Sequence, residues 1–106
     1  MSKLAKDRGA SYEREVCSAL SDALGSKVTR VLGQARDGGS DIELKPFMIE
    51  CKRRRKIAVY DWMAQAKTSA AAKDMVPVVV CRADGKESLA IFRLDDAIKL
   101  MQNEIS

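Results

Sequence analysis

Glu50-Cys51-Lys52 closes a short apolar run, Asp41 lies one expected strand earlier, and a basic tract follows at once. Alternate side chains of a strand share a face, so Glu50 and Lys52 project to the same side roughly 7 Å apart. If Asp41 comes alongside on the neighbouring strand, two carboxylates can hold a divalent cation while the lysine manages a water or a phosphate oxygen. Those residue types at that spacing are the equipment of metal-assisted phosphodiester hydrolysis. The chain contains no histidine. The usual general base of neutral-pH chemistry is therefore missing, and carboxylates, lysine and metal-bound water remain for proton transfer.

A chain of 106 residues is expected to form one domain, 1–106, burying roughly 60 to 70% of the surface its unfolded form exposes. Neither a disulfide nor a structural metal is required at that size. Cys17, Cys51 and Cys81 are odd in number and far apart. They match no zinc-ligand or disulfide spacing and read as buried thiols in a reducing cytoplasm. No apolar run approaches the length needed to cross a bilayer, and the basic start lacks the apolar core of a signal peptide, so no membrane is expected as a partner. The net charge of +4 leans toward a polyanionic partner. Its distribution says more: Lys52 to Lys56 form an unbroken cationic segment, and Lys3, Lys6 and Arg8 gather at the start. Such runs are often solvated surface, but one that abuts a metal-binding constellation points to nucleic acid.

Several elements must position these groups. Residues 1–9 read as a flexible basic arm, and Ser11 as the cap of a helix over Ala10 to Leu24 that Gly25 stops. On that helix Glu13 lines up with the apolar stripe of Val16, Cys17, Leu20 and Leu24, while Glu15 points away to solvent. Glu13 is thus either a site residue or a first-turn acid favoured by the helix dipole. Lys27 to Leu32 reads as a strand. Gly33 to Ser40, with Arg36 in its midst, reads as a glycine-rich loop able to approach phosphate or merely to connect strands. Asp41 to Leu44 and Phe47 to Lys52 alternate as a hairpin turned at Lys45-Pro46. Val59 to Lys73 has Trp62, Met63, Ala66 and Ala70 at helical spacing, with Gln65 at the border of that stripe, either solvated or reaching toward the site. Val76 to Cys81 and Leu89 to Arg93 complete the strands, and a last helix opens at Asp95 or Asp96 with Leu94, Ala97, Ile98, Met101 and Ile105 facing inward. The resulting order, αβββαββα, predicts an α/β fold with a mixed central sheet flanked by helices.

From Gly9 to about Leu94 this order resembles the PD-(D/E)xK nuclease superfamily and its restriction-endonuclease-like core. Within it, the chain is similar to the small Holliday junction resolvases of archaeal and phage type. Gly9-Ala-Ser-Tyr-Glu13-Arg-Glu is similar to the opening helix, Ser40-Asp41-Ile42 to the motif that begins the second strand, and Glu50-Cys51-Lys52 to the E-x-K element. Gln65 is similar to a glutamine that several members carry on the next helix. The chain departs from the pattern in having Ser40 where proline is common and Glu43 where relatives place an apolar or small residue. Glu43 is then either exposed or a further acid.

The resemblance implies a Mg2+-dependent endonuclease, with Mn2+ able to substitute. Asp41, Glu50, the backbone carbonyl of Cys51 and Glu13 would form the cation site, and Glu13, Asp41, Glu50, Lys52 and Gln65 the catalytic set. Lys6, Arg8, Arg36, Ser40, Arg53, Arg54, Arg55 and Lys56 would contact DNA. Branched double-stranded DNA is the implied partner, above all the four-way junction, and paired cutting implies a homodimer. A virus-type replication-repair nuclease, a flap or restriction-like endonuclease, or a noncatalytic DNA-binding module on the same fold, would carry much of the same pattern.

Overall fold

Apolar residues at helical spacing on two helices, and at alternate positions on the strands between them, determine which surfaces meet. The computed structural model describes residues 3–31 and 41–105, with the side chains of the first helix described from Gly9 onward. That helix, α1 (Lys3–Leu24), turns Tyr12, Val16, Cys17 and Leu20 onto the sheet. It begins at Lys3 rather than at Ala10, so Ser11 is an exposed position within the helix and not its cap. Gly25, at φ 71°, ends it in the left-handed region that glycine enters without strain. Ser21 then fastens the returning chain: its hydroxyl donates to the Cys17 carbonyl at 2.7 Å and accepts from the Val28 amide at 2.8 Å.

The hairpin of β1 (Ile42–Leu44) and β2 (Phe47–Arg54) forms as expected, in the register Ile42 to Ile49 and Leu44 to Phe47. The helix α2 (Val59–Ala71) crosses to β3 (Val76–Ala83), which pairs parallel with β2, and β4 (Leu89–Phe92) returns antiparallel to β3. The mixed four-stranded sheet has the order β1-β2-β3-β4. The expected strand at Lys27 to Leu32 is reduced, among the described residues, to a single bridge between Arg30 and Ile42. A three-residue β1 offers that segment one rung at its end and no longer ladder.

The sheet carries a separate apolar layer on each face. On the α1 side, Tyr12, Val16 and Cys17 meet Ile42, Ile49, Cys51 and Val78, and Phe47 stands edge-on to Phe92 with ring centroids 6.1 Å apart. On the other side Trp62 and Ala66 of α2 cover Val79 and Cys81. The last helix, α3 (Leu94–Ile105), does not face inward: none of its residues is buried, and Leu94, Ile98, Met101 and Ile105 form an exposed apolar stripe. Its link to β4 is the single residue Arg93, which carries the helix off the sheet instead of back over it. No helix among the described residues is long and apolar enough to cross a membrane.

Candidate active site

Strand register determines where each site residue lies. Glu50 stands beside Val79 and Lys52 beside Cys81, which puts both on the α2 side of the sheet, while Cys51 between them joins the α1-side layer. Asp41 sits where the chain enters β1. Its amide donates to the Ile49 carbonyl at 3.1 Å and its carbonyl accepts from the Val31 amide at 2.8 Å. Its carboxylate Oδ2 accepts the Cys51 amide at 2.7 Å. Main chain on two sides therefore anchors the aspartate to the E-x-K element.

Glu50 is only 3% exposed. Its Oε2 lies 3.7 Å from Lys52 Nζ, whereas its Oε1 is enclosed without a hydrogen-bond partner. Burial, reinforced by the neighbouring Asp41 carboxylate and opposed by Lys52, pushes the Glu50 carboxyl up to about 8. Glu13 approaches from α1. Its carboxyl is also raised, by burial first and the charge of Asp41 second, against the pull of Arg30. Arg30 Nε forms an ion pair with Glu13 Oε1 at 3.1 Å, outside hydrogen-bond geometry. Asp41 is thus the common neighbour of the two glutamates, and the structure brings together four of the residues expected at the site: Glu13, Asp41, Glu50 and Lys52.

The charge of Asp41 raises the proton affinity of both glutamates, yet among the described residues no three acidic or thiol groups converge as ligands of one ion. Glu13 is occupied by Arg30, and one oxygen of Asp41 by the Cys51 amide. The residues nevertheless suit a hard divalent cation. An enclosed carboxyl oxygen without a hydrogen-bond partner, next to a second buried carboxylate, is a group that such a cation would satisfy by displacing the proton. Asp41 and Glu50 fit that role directly, and Glu13 fits only after leaving Arg30.

The outer positions divide differently. Gln65 is exposed on α2, and no hydrogen bond joins it to the acids among the described residues. Glu43 pairs with Lys73 beyond α2, so it is not a further acid of the cluster. Arg53 is held by Asp84 at 3.5 Å, and Arg54, Arg55 and Lys56 are exposed at the end of β2. Lys6 and Arg8 lie in α1 with side chains outside the described ones, and Arg36 and Ser40 lie outside the described residues. Sequence reasoning missed Arg30, whose link to Glu13 depends on a bridge across the chain. It also missed the cluster in which Glu15, read as a solvent residue, pairs with Arg82 at 3.1 Å, Arg82 lies over the Tyr12 ring and the Tyr12 hydroxyl meets Ser88.

A family model described as "Phage putative PDDEXK endonuclease" matches residues 4–105. No curated protein and no solved structure matches the chain. The match spans all three helices and the sheet that orders Asp41 before Glu50 and Lys52, and the chain therefore belongs to this phage PD-(D/E)xK endonuclease family.

Proposed function

We propose that the protein is a Mg2+-dependent, structure-selective DNA endonuclease whose substrate is the four-way junction. The observation that carries the metal-dependent part is Glu50: a buried carboxylate with one oxygen unpartnered, beside Asp41 and tethered to Lys52. Asp41 and Glu50 would hold the cation, with the Cys51 carbonyl between them and Glu13 at the rim. Bound there, the cation supplies Lewis-acid polarisation of the scissile phosphate and lowers the pKa of water. Lys52 presents its Nζ to the phosphate oxygen on which charge grows, from a position that Glu50 fixes. Arg54, Arg55 and Lys56 bind flanking phosphates, with affinity that falls as salt rises because each neutralised phosphate releases counterions. The described surface has no aromatic stripe for stacking single-stranded bases, which favours recognition of duplex shape.

Resolving a junction takes two cuts, so one small site must act in pairs. We place the proposed docking of the second copy on the sheet. The α2 side of the sheet leaves a mainly apolar groove of about 490 Å3, lined by Ile57, Cys81, Ala83, Leu89 and Ile91 and also by Arg82, Gly85, Lys86 and Glu87. In its own chain α3 follows β4 after Arg93 alone and buries none of its residues. The α3 of a second copy would bring its stripe of Leu94, Ile98, Met101 and Ile105, which matches the groove in apolar character.

The test is cleavage of a labelled four-way junction, a flap and a linear duplex, with and without Mg2+. Symmetric incision of the junction that requires Mg2+, and its loss by at least about a hundredfold in Asp41→Asn, Glu50→Gln and Lys52→Ala with junction binding retained, is the expected result. Undiminished cutting by all three variants would overturn the site. Equal cutting of linear duplex would overturn junction selectivity alone.

A further inference from the structure

Arg30 stands among carboxylates that suit an inorganic cation. Its Nε is 3.1 Å from Glu13 Oε1, and both side chains are about four-fifths enclosed, at 23% and 21% exposure. Backbone, more than side-chain reach, puts it there: Arg30 forms the bridge to Ile42, and the next residue, Val31, donates its amide to the Asp41 carbonyl at 2.8 Å. The Arg30 backbone therefore lies one position from Asp41 across the bridge, and its guanidinium meets Glu13. Each glutamate of the cluster has its own cation, Lys52 for Glu50 and Arg30 for Glu13, and the Glu13 pair is the shorter. A guanidinium stays charged at every working pH, so its hold on Glu13 is never relieved by deprotonation.

We propose that Arg30 is a positioning residue for the catalytic cation: it holds Glu13 out of coordination in the free protein, so that full cation binding must first break the Glu13–Arg30 pair. This rests on the metal-dependent reading of the site given above. On this view Arg30 weakens the site for cation alone. It also decides whether Glu13 acts as an ion-pair partner or as a ligand.

The test is calorimetric titration of the purified chain with Mn2+, without DNA, alongside circular dichroism to establish that each variant is folded. Arg30→Ala is expected to bind Mn2+ roughly five- to tenfold tighter, because the Glu13 carboxylate is released to the cation. Arg30→Lys should restore the wild-type affinity. Arg30→Gln keeps the bulk without the charge and should bind as tightly as Arg30→Ala, which preserves the test if the alanine variant fails to fold. In a Glu13→Gln background the gain from Arg30→Ala should shrink to a small fraction. Unchanged or weaker Mn2+ binding by the charge-removing variants would overturn the role of Arg30, as would an equal gain in the Glu13→Gln background. Wild-type protein that binds no Mn2+ would overturn the metal reading itself and this inference with it.

Discussion

In the proposed reaction Glu50 contributes to function, while its enclosed carboxyl detracts from stability. Its folded carboxyl titrates at about 8 against an ordinary value of 4.5, so the folded state binds the proton more tightly than the unfolded chain. Below the ordinary value both states are protonated and the group has no effect. As pH rises from there through about 8, unfolding releases the proton and stability falls, with the loss complete above that range. Glu50→Gln should therefore raise the thermal midpoint of metal-free protein at pH 8 by several degrees and leave it unchanged near pH 4. Scanning calorimetry checks this, each kcal/mol of relief being worth about 4–8 °C in a domain of this size. Millimolar Mg2+ should stabilise wild type and not the variant. Asp41, Glu50 and Lys52 were legible in the sequence because two-residue periodicity on a strand needs no tertiary knowledge. Arg30 was not, since nothing in Val28-Thr29-Arg30 distinguishes a cation that meets Glu13 across a bridge from one in solvent. Gln65 shows the opposite failure: a residue at the border of a helical stripe can rotate to either side, and here it stays exposed.

At the scale of elements, α2 does the most with the least. Ala66 is fully enclosed against Val79 and Cys81, and Ala70 is 1% exposed, so small residues let the helix lie close over the parallel pair that carries Glu50 and Lys52. Ala66→Leu should destabilise the fold by about 1–3 kcal/mol through overpacking, seen as a lower urea midpoint with unchanged slope. The stripe of Trp62, Ala66 and Ala70 could be read directly from helical spacing. Two boundaries could not. Lys3 to Gly9 looked like a polar arm, yet Leu4, Ala5, Lys6 and Arg8 are strong helix formers that extend α1 backward. Val28 and Val31 gave a strand signal, but β-branched residues favour extended chain whether or not a partner strand is long enough to pair with it.

For the molecule as a whole, the unfilled surface is as informative as the core. The inward face assigned to α3 from its spacing is a real stripe, but amphipathic periodicity gives only the existence of an apolar face and never what covers it. If α3 docks in the groove of a second copy, as proposed, dimerisation depends on that stripe. Sedimentation of wild type at micromolar concentration should therefore give a dimer, and Ile98→Glu or Met101→Glu a folded monomer with at least about tenfold weaker self-association. Wild type that remains monomeric with junction bound would rule out the pairing.

The three thiols have a practical consequence of a different kind. Cys17, Cys51 and Cys81 are all buried, and burial raises each toward the protonated form, which is the unreactive one. Maleimide and iodoacetamide should therefore pass the native protein by. One cysteine introduced on the outer surface would become a unique handle for a fluorophore or spin label, with the natural thiols left in place.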